Sequence, residues 1–268
     1  MIAARRRPWL TLLTVPLVVF LALPVAILVL RALVGGGLLG ALGNRAVLDA
    51  LGLSLTTTAV SLGLTLALGT PLAYLLARRS FRGASIVETF IDLPIVLPPS
   101  VAGLALLLLL GRRGVLGGAL DVVGISIPFT TMAVVLAQTF VAAPFFIRSA
   151  RAGIAAVDRD IEDAARVDGA GEREVFRLVT VPLAGAALAA GAVMSWSRAL
   201  GEFGATIMFA GNVQGRTQTL PLVVYGEFGA GNLDASIAAA SILVIAAFGV
   251  LVSVRVLHWG RALDTRGG

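Results

Sequence analysis

Asp158–Pro182, DRDIEDAARVDGAGEREVFRLVTVP, is the heart of the longest polar segment of this chain, about residues 151–182. Asp158 or Asp160 can cap a helix start, and acids crowd the first turn, where the helix dipole favours them. Ile161, Ala164, Ala165 and Asp168 share one face by i, i+3, i+4, i+7 spacing, and the two alanines make that face small. Gly169 and Gly171 stop the helix, as C-terminal glycines do. A second short helix is predicted from Glu172, with Val175, Leu178 and Val179 on one face, ending before Pro182. From the residues alone this helix–turn–helix is either an amphipathic connector or a surface that docks another protein.

Outward from it the chain turns apolar. Of 268 residues, 58% are hydrophobic and only 13% charged, about half the charge of a soluble domain, and mean hydropathy is +0.96. Several runs exceed the roughly 18 apolar residues that mark a spanning helix. Six spans are predicted, at about 9–33, 51–77, 86–110, 131–147, 183–209 and 235–257, in a single polytopic membrane domain over residues 1–268. The fold class is therefore all-α integral membrane. The first run follows Arg5, Arg6 and Arg7 but is far longer than a signal-peptide core and carries no small-residue cleavage site, so it reads as a retained helix.

Composition excludes several functions. All 21 basic residues are arginine, so the lysine that a phosphate-binding P-loop requires is missing. With no cysteine there is no disulfide, thiolate nucleophile or zinc–sulfur site. One histidine, His258, cannot build a multi-histidine metal site, and it reads as an interfacial anchor. The net charge of +6 sits in short arginine clusters at the ends of apolar runs, as in membrane proteins, and not in a nucleic-acid-binding face. Gly35–Gly40 matches G-x-G-x-x-G but follows a membrane helix, so it reads as a flexible loop.

Orientation follows from the arginines in short loops. With both termini in the cytoplasm, fourteen lie inside: Arg5, Arg6, Arg7, Arg78, Arg79, Arg82, Arg151, Arg159, Arg166, Arg173, Arg177, Arg255, Arg261 and Arg266. Five lie outside: Arg31, Arg45, Arg112, Arg113 and Arg216. The Arg112–Arg113 pair is the exception to the rule. It either attracts anions or an acidic partner, or snorkels at the interface. The polar segment 151–182 then faces the cytoplasm, and a second connection, about 211–234, faces outward.

Asp163-Ala164-Ala165, three residues, Gly169, nine residues, Val179-Thr180-Val181-Pro182 keeps the spacing of the E-A-A-x3-G-x9-I-x-L-P pattern. The loop thus resembles that of membrane subunits of ABC importers, with Asp163, Val179 and Val181 as mild departures. The resemblance implies a type I ABC importer permease fold. It also implies a coupling loop that docks into a cytoplasmic ATPase subunit through Asp163, Ala164, Ala165, Gly169, Gly171 and Pro182. ATP and magnesium would belong to that partner, with no cofactor on this chain.

Within the spans, Arg198 and Glu202 are i, i+4 near Ser195, Gly201, Gly204 and Thr206. Intramembrane charges are costly and face a cavity or the bundle interior. The pair either lines a path or fixes the bundle. Pro94, Pro98 and Pro99, followed by Ser100, break the third span's ladder, giving a kink that either gates a path or is static. Pro16, Pro24, Pro71 and Pro144 are ordinary for membrane helices. The stretches Ser195–Asn212, Gly215–Leu222, Leu93–Gly103 and Gly111–Gly117 resemble molybdate-importer permeases, with sulfate permeases as relatives, over roughly residues 50–255.

That resemblance implies a homodimer in the prokaryotic inner membrane, working by alternating access with an extracytoplasmic oxyanion-binding protein. The translocation path would involve Pro98, Pro99, Ser100, Ser195, Arg198, Gly201, Glu202, Gly204 and Thr206. Sulfate or thiosulfate permease is the alternative within that mechanism. An ATP-independent channel or carrier leaves the loop spacing unexplained. An intramembrane enzyme lacks a constellation: the spans hold no histidine, and Asp92 has no acidic partner.

Overall fold

The computed structural model describes residues 8–35 and 37–264. Arg5, Arg6, Arg7, Gly36 and Arg266, and the side chain of His258, lie outside what it describes. The chain is a series of helices joined by short turns, α1 (Pro8–Val34), α2 (Gly37–Gly43), α3 (Arg45–Arg78), α4 (Ala84–Val96), α5 (Pro99–Leu110), α6 (Gly117–Val122) and α7 (Thr131–Ala155). The two short helices of the polar segment follow, α8 (Arg159–Val167) and α9 (Glu172–Leu183). The remainder is α10 (Gly185–Leu200), α11 (Gly204–Phe209), α12 (Leu220–Gly229) and α13 (Leu233–Asp264). Four of these are long and apolar enough to cross a membrane, and six segments are if each of two bent pairs counts as one.

The centre of the bundle is α3 against α7 against α10. The buried stripe of α3 is small and hydroxylated: Ser54, Thr57, Thr58, Ser61, Thr65, Gly69 and Ala73 recur every three or four residues. In lipid, apolar surface gives no driving force between helices, so close packing and interhelical hydrogen bonds hold them together. Both occur here. Gln138 Nε2 donates to Thr58 Oγ1 at 3.3 Å, Thr139 Oγ1 donates to Ser61 Oγ at 3.0 Å, and a Cβ on Gly69 would lie 3.0 Å from the Phe146 ring. Between α7 and α10, Gly191 sits against Ser149, whose Oγ donates to the Ala187 carbonyl at 2.8 Å. α1 packs on α13 at the periphery and exposes Leu17, Val18, Phe20 and Leu21, an all-apolar surface suited to lipid.

Two stretches read as loops are helical. Residues 37–43 form α2, because Ala41 is buried against Val47, Ala50, Ala238 and Ala239. The connection 211–234 contains α12, with Pro221 in its first turn and Leu220 and Val223 in the same apolar cluster; Leu220 N donates to Ser54 Oγ at 2.7 Å.

Two stretches read as continuous spans are not. Residues 86–110 form α4 and α5, whose axes bend by 119°. Leu97 precedes Pro98 and Pro98 precedes Pro99, and a residue before proline is driven out of the α region. Both are extended, with ψ of 134° at each. The expected kink is thus a reversal. Residues 183–209 begin at a 74° bend between α9 and α10 and are broken at Gly201–Phe203, between α10 and α11.

Candidate functional site

The two chain breaks meet. α11 lies along α5, and the approach depends on glycines. A Cβ on Gly204 would lie 2.7 Å from Pro99 Cβ and 3.1 Å from Ser100 N. A Cβ on Gly103 would lie 2.6 Å from the Ala205 carbonyl oxygen and 2.8 Å from Ala205 Cα. Glu202, between α10 and α11, is buried. Its Oε1 accepts from Ala205 N at 2.7 Å, satisfying a free donor at the start of α11. Its Oε2 pairs with Arg198 Nη1 at 2.6 Å, and the Arg198 side chain is 27% exposed. The i, i+4 pair therefore forms, but Glu202 is not on the helix that carries Arg198, because α10 ends at Leu200.

Of the residues singled out from sequence, Pro99, Ser100 and Gly204 are brought into contact at this crossing, and Arg198 and Glu202 pair beside it. Pro98 and Gly201 are exposed at the breaks, where the Pro98 carbonyl accepts from Val101 N and Ala102 N and Gly201 N donates to the Ser197 carbonyl. Ser195 and Thr206 are buried, and their hydroxyls have no hydrogen-bond partner among the described residues; the same holds for Trp196 Nε1 and Gln138 Oε1. Unpaired buried polar atoms are rare in folded proteins; these four lie on α7, α10 and α11, and Thr65 Oγ1 on α3 and Thr219 Oγ1 before α12 are others.

The polar segment is anchored by a residue the sequence pattern did not single out. Glu162 is buried, and its Oε1 accepts from Arg78 Nη2 at 2.8 Å and from Thr180 Oγ1 at 2.6 Å. Arg78 Nη2 also donates to the Val157 carbonyl at 3.0 Å. One carboxylate thereby ties α8 to the end of α3 and to α9. The face of α8 turned to the protein consequently runs through Glu162, with Ala165 and Arg166 half-buried. Of the face grouped by spacing, Ile161, Ala164 and Asp168 are exposed, as are Asp163 and Gly169, and Ala165 is half-buried. Ionic pinning outranks apolar periodicity on so short a helix. The signal available was an acid next to Asp163 and an arginine, Arg78, at the end of the preceding span.

Asp158 Oδ1 accepts from Asp160 N at 3.0 Å, capping α8. At its other end Gly169 is left-handed (φ +96°), with Ala170 N bonded to the Ala165 carbonyl and Gly169 N to that of Arg166. This double closure needs a residue tolerant of positive φ. Gly171 is not a second stop: it has φ −72° and begins α9, its N–H donating to Glu174 Oε2 at 2.8 Å. Arg166 spans the turn, 2.6 Å from Asp163 and 2.7 Å from Glu172. The guanidinium holds the Glu172 carboxyl below the usual glutamate range, and the two carboxylates raise Arg166.

α9 does not end before Pro182. Val175–Thr180 is a π-helical turn, with Val181 N bonded to the Phe176 carbonyl, and helical backbone continues through Pro182 to Leu183. Such turns recur at functional positions. Val175 is buried but Leu178 is 73% exposed, so the two do not share a face. Nearby, Arg151–Glu88 (2.9 Å) and Arg148–Asp92 (3.5 Å) link α7 to α4; Asp92 thus has a basic partner.

A family model described as binding-protein-dependent transport system inner membrane component matches residues 69–264. The chain belongs to that family. It is accordingly a multi-pass inner-membrane permease subunit of an ABC transport system. It is 43% identical over 205 residues to the molybdenum transport system permease protein ModB of Mycobacterium tuberculosis, covering 76% of this chain and 77% of the relative. It is 39% identical over 189 residues to the protein of the same description from Escherichia coli K12, covering 68% and 82%. In fold it is similar to a chain of a bacterial ABC transporter involved in the import of the acidic polysaccharide alginate, with a TM-score of 0.75, 17% identity and 96% of each chain covered. In this permease the family-pattern residues Asp163, Ala164 and Gly169 lie on the free side of α8.

Proposed function

We propose that this permease carries molybdate into the cytoplasm as one of two identical membrane subunits, driven by a separate ATPase that docks on α8 and α9. Both termini lie in the cytoplasm. ATP and magnesium bind the ATPase, and an extracytoplasmic binding protein delivers the anion at the opposite face. The substrate is supported by the permeases described as molybdenum transporters. The observation that carries the coupling role is the exposed motif: a face of Asp163, Ala164 and Gly169, with exposed Ile161, Val167 and Leu178 around it, on a helix pinned from behind by Glu162 and Arg78. A helix fixed by buried charge to the end of α3 moves as a body with α3, which is what transmitting a stroke from an ATPase requires. The stroke reaches the crossing of α5 and α11 through the central α3–α7–α10 packing, and alternating access follows from separating and rejoining the two breaks.

The test is ATPase activity of the complex reconstituted with its ATPase and binding protein, with molybdate, tungstate, sulfate or no anion. Stimulation by molybdate is expected. It should be lost in Gly169→Leu, which forces a side chain into a left-handed position costing about 1–2 kcal/mol and adds bulk to the docking face. Stimulation by sulfate alone reassigns the substrate; failure to form a complex with an ATPase rejects the importer role. Arg198→Gln, expressed at the normal level, is expected to slow transport because it leaves buried Glu202 without its cation. An unchanged rate would limit the pair to holding the bundle together.

A further inference from the structure

Arg112 and Arg216 are two of the five arginines that the charge count places outside, and the structure brings them to one cavity from loops 104 residues apart. Both line a cavity of about 390 Å³ together with Ser126, Thr130, Phe129 and Leu107. It lies at the N-terminal end of α7, one helix length, about 37 Å, from the coupling segment at the other end. Arg112 Nε donates to Ser126 Oγ at 3.4 Å, and the Arg216 carbonyl accepts from Thr131 Oγ1 at 2.9 Å, so each loop is fixed to the cavity rim. Among the described residues neither guanidinium forms an ion pair. Arg113, next in sequence, does not line the cavity.

The wall is strained. Phe129 has φ +61° and is the one described non-glycine residue with positive φ; for a bulky side chain that is an outlier. Its ring lies against Gly211, itself at φ +73°, where a Cβ would come within 2.9 Å of Phe129 Cδ1. Phe129 N bonds to the Phe209 carbonyl at 3.4 Å, at the end of α11. Strain of this kind concentrates at ligand clamps and switches.

Two exposed arginines lining one cavity, neither with an ion-pair partner among the described residues, place like charges side by side, which an anion between them would relieve. Their planar forks suit an oxyanion, the hydroxyl of Ser126 can donate to it, and the positive end of the α7 dipole, whose cap Thr130 lines the cavity, lies at the same space. We propose that this cavity is a receiving site for a tetrahedral oxyanion dianion at the outer mouth of the permease, with Arg112 and Arg216 as its anion-binding residues. Phe129 connects its occupancy to α11. The location at the outer mouth, and molybdate as the physiological ligand, rest on the importer reading.

Equilibrium dialysis of molybdate against the purified full-length permease, without binding protein, tests the site directly. Saturable binding is expected, weakened about tenfold or more in Arg112→Gln and in Arg216→Gln, as for loss of one charge-assisted contact, and unchanged in Arg113→Gln. Sulfate in excess should compete. Absence of saturable binding, or equal binding by all three variants, overturns the proposal. So does a loss of binding-protein docking in the variants with molybdate binding intact, which would make the arginines a protein-docking surface. The importer reading fails separately: a complex whose ATPase ignores every anion rejects it even where dialysis shows the site, and normal anion-stimulated ATPase with no dialysis signal rejects only the site.

Discussion

Gly103→Leu is expected to reduce transport in proteoliposomes by more than tenfold. The Cβ alone would stand 2.6 Å from a backbone oxygen and 2.8 Å from a backbone Cα of residue 205. Backbone atoms cannot rotate away as a flexible side chain can, so α5 and α11 must separate. Overpacking of this kind costs about 1–3 kcal/mol, comparable to a conformational equilibrium between two access states. The substitution therefore acts on the equilibrium that transport uses. Gly204→Val, pressing on Pro99 and Ser100, should behave alike. Gly63→Ala on α3, where a Cβ would meet nothing within 4 Å, is the control and should transport normally. Basal ATPase activity of the Gly103→Leu complex should persist, since α8 lies elsewhere. A normal transport rate in Gly103→Leu would remove the α5–α11 crossing from the path.

Glu162→Ala is expected to be the most destabilising single change in the polar segment. The side chains of Arg78 and Glu162 are 9% and 2% exposed, so removing the acid strands a buried cation, which costs about 3–5 kcal/mol. Thr180 loses its 2.6 Å bond at the same stroke and keeps only the 3.4 Å contact to the Val175 carbonyl. The expected result is a lower melting temperature for the purified permease and loss of anion-stimulated ATPase activity in the complex. Arg78→Met combined with Glu162→Leu removes both charges and should recover most of the stability, because apolar replacement of a buried pair is close to neutral. If recovered stability also restored stimulation, the pair would be a strut; if stimulation stayed lost, the pair would be needed for coupling itself. Equal melting of Glu162→Ala and the unchanged protein would show that α8 is held by other contacts.

The coupling segment was legible residue by residue where the cause is local. Asp158 as a cap and Gly169 as a stop are fixed by the orphan donors and carbonyls of one short helix, and they are where the spacing put them. The anchored face of α8 was not legible because its buried member is a carboxylate, Glu162, and the cation that makes burial tolerable, Arg78, lies 84 residues away. The prolines 98 and 99 marked a discontinuity, yet its size, 119°, depends on two consecutive pre-proline residues and on α5 finding α11 to pack against. Likewise Arg112 carried an anomaly of charge, but its pairing with Arg216 across a cavity left no mark in either loop.

The sequence by itself determined the all-α membrane class, the long apolar helices, the polar helix–turn–helix between them and the family pattern on it. Hydropathy, helix caps and motif spacing act over one to a few turns, and so are written in the linear order of residues. Only the tertiary structure decided that two interrupted helices cross at Gly103 and Gly204, that Glu162 holds the coupling helix through Arg78, and that two arginines share one cavity. Those features arise from contacts between residues distant in the chain, where backbone approach and charge pairing, and not local preference, determine the outcome.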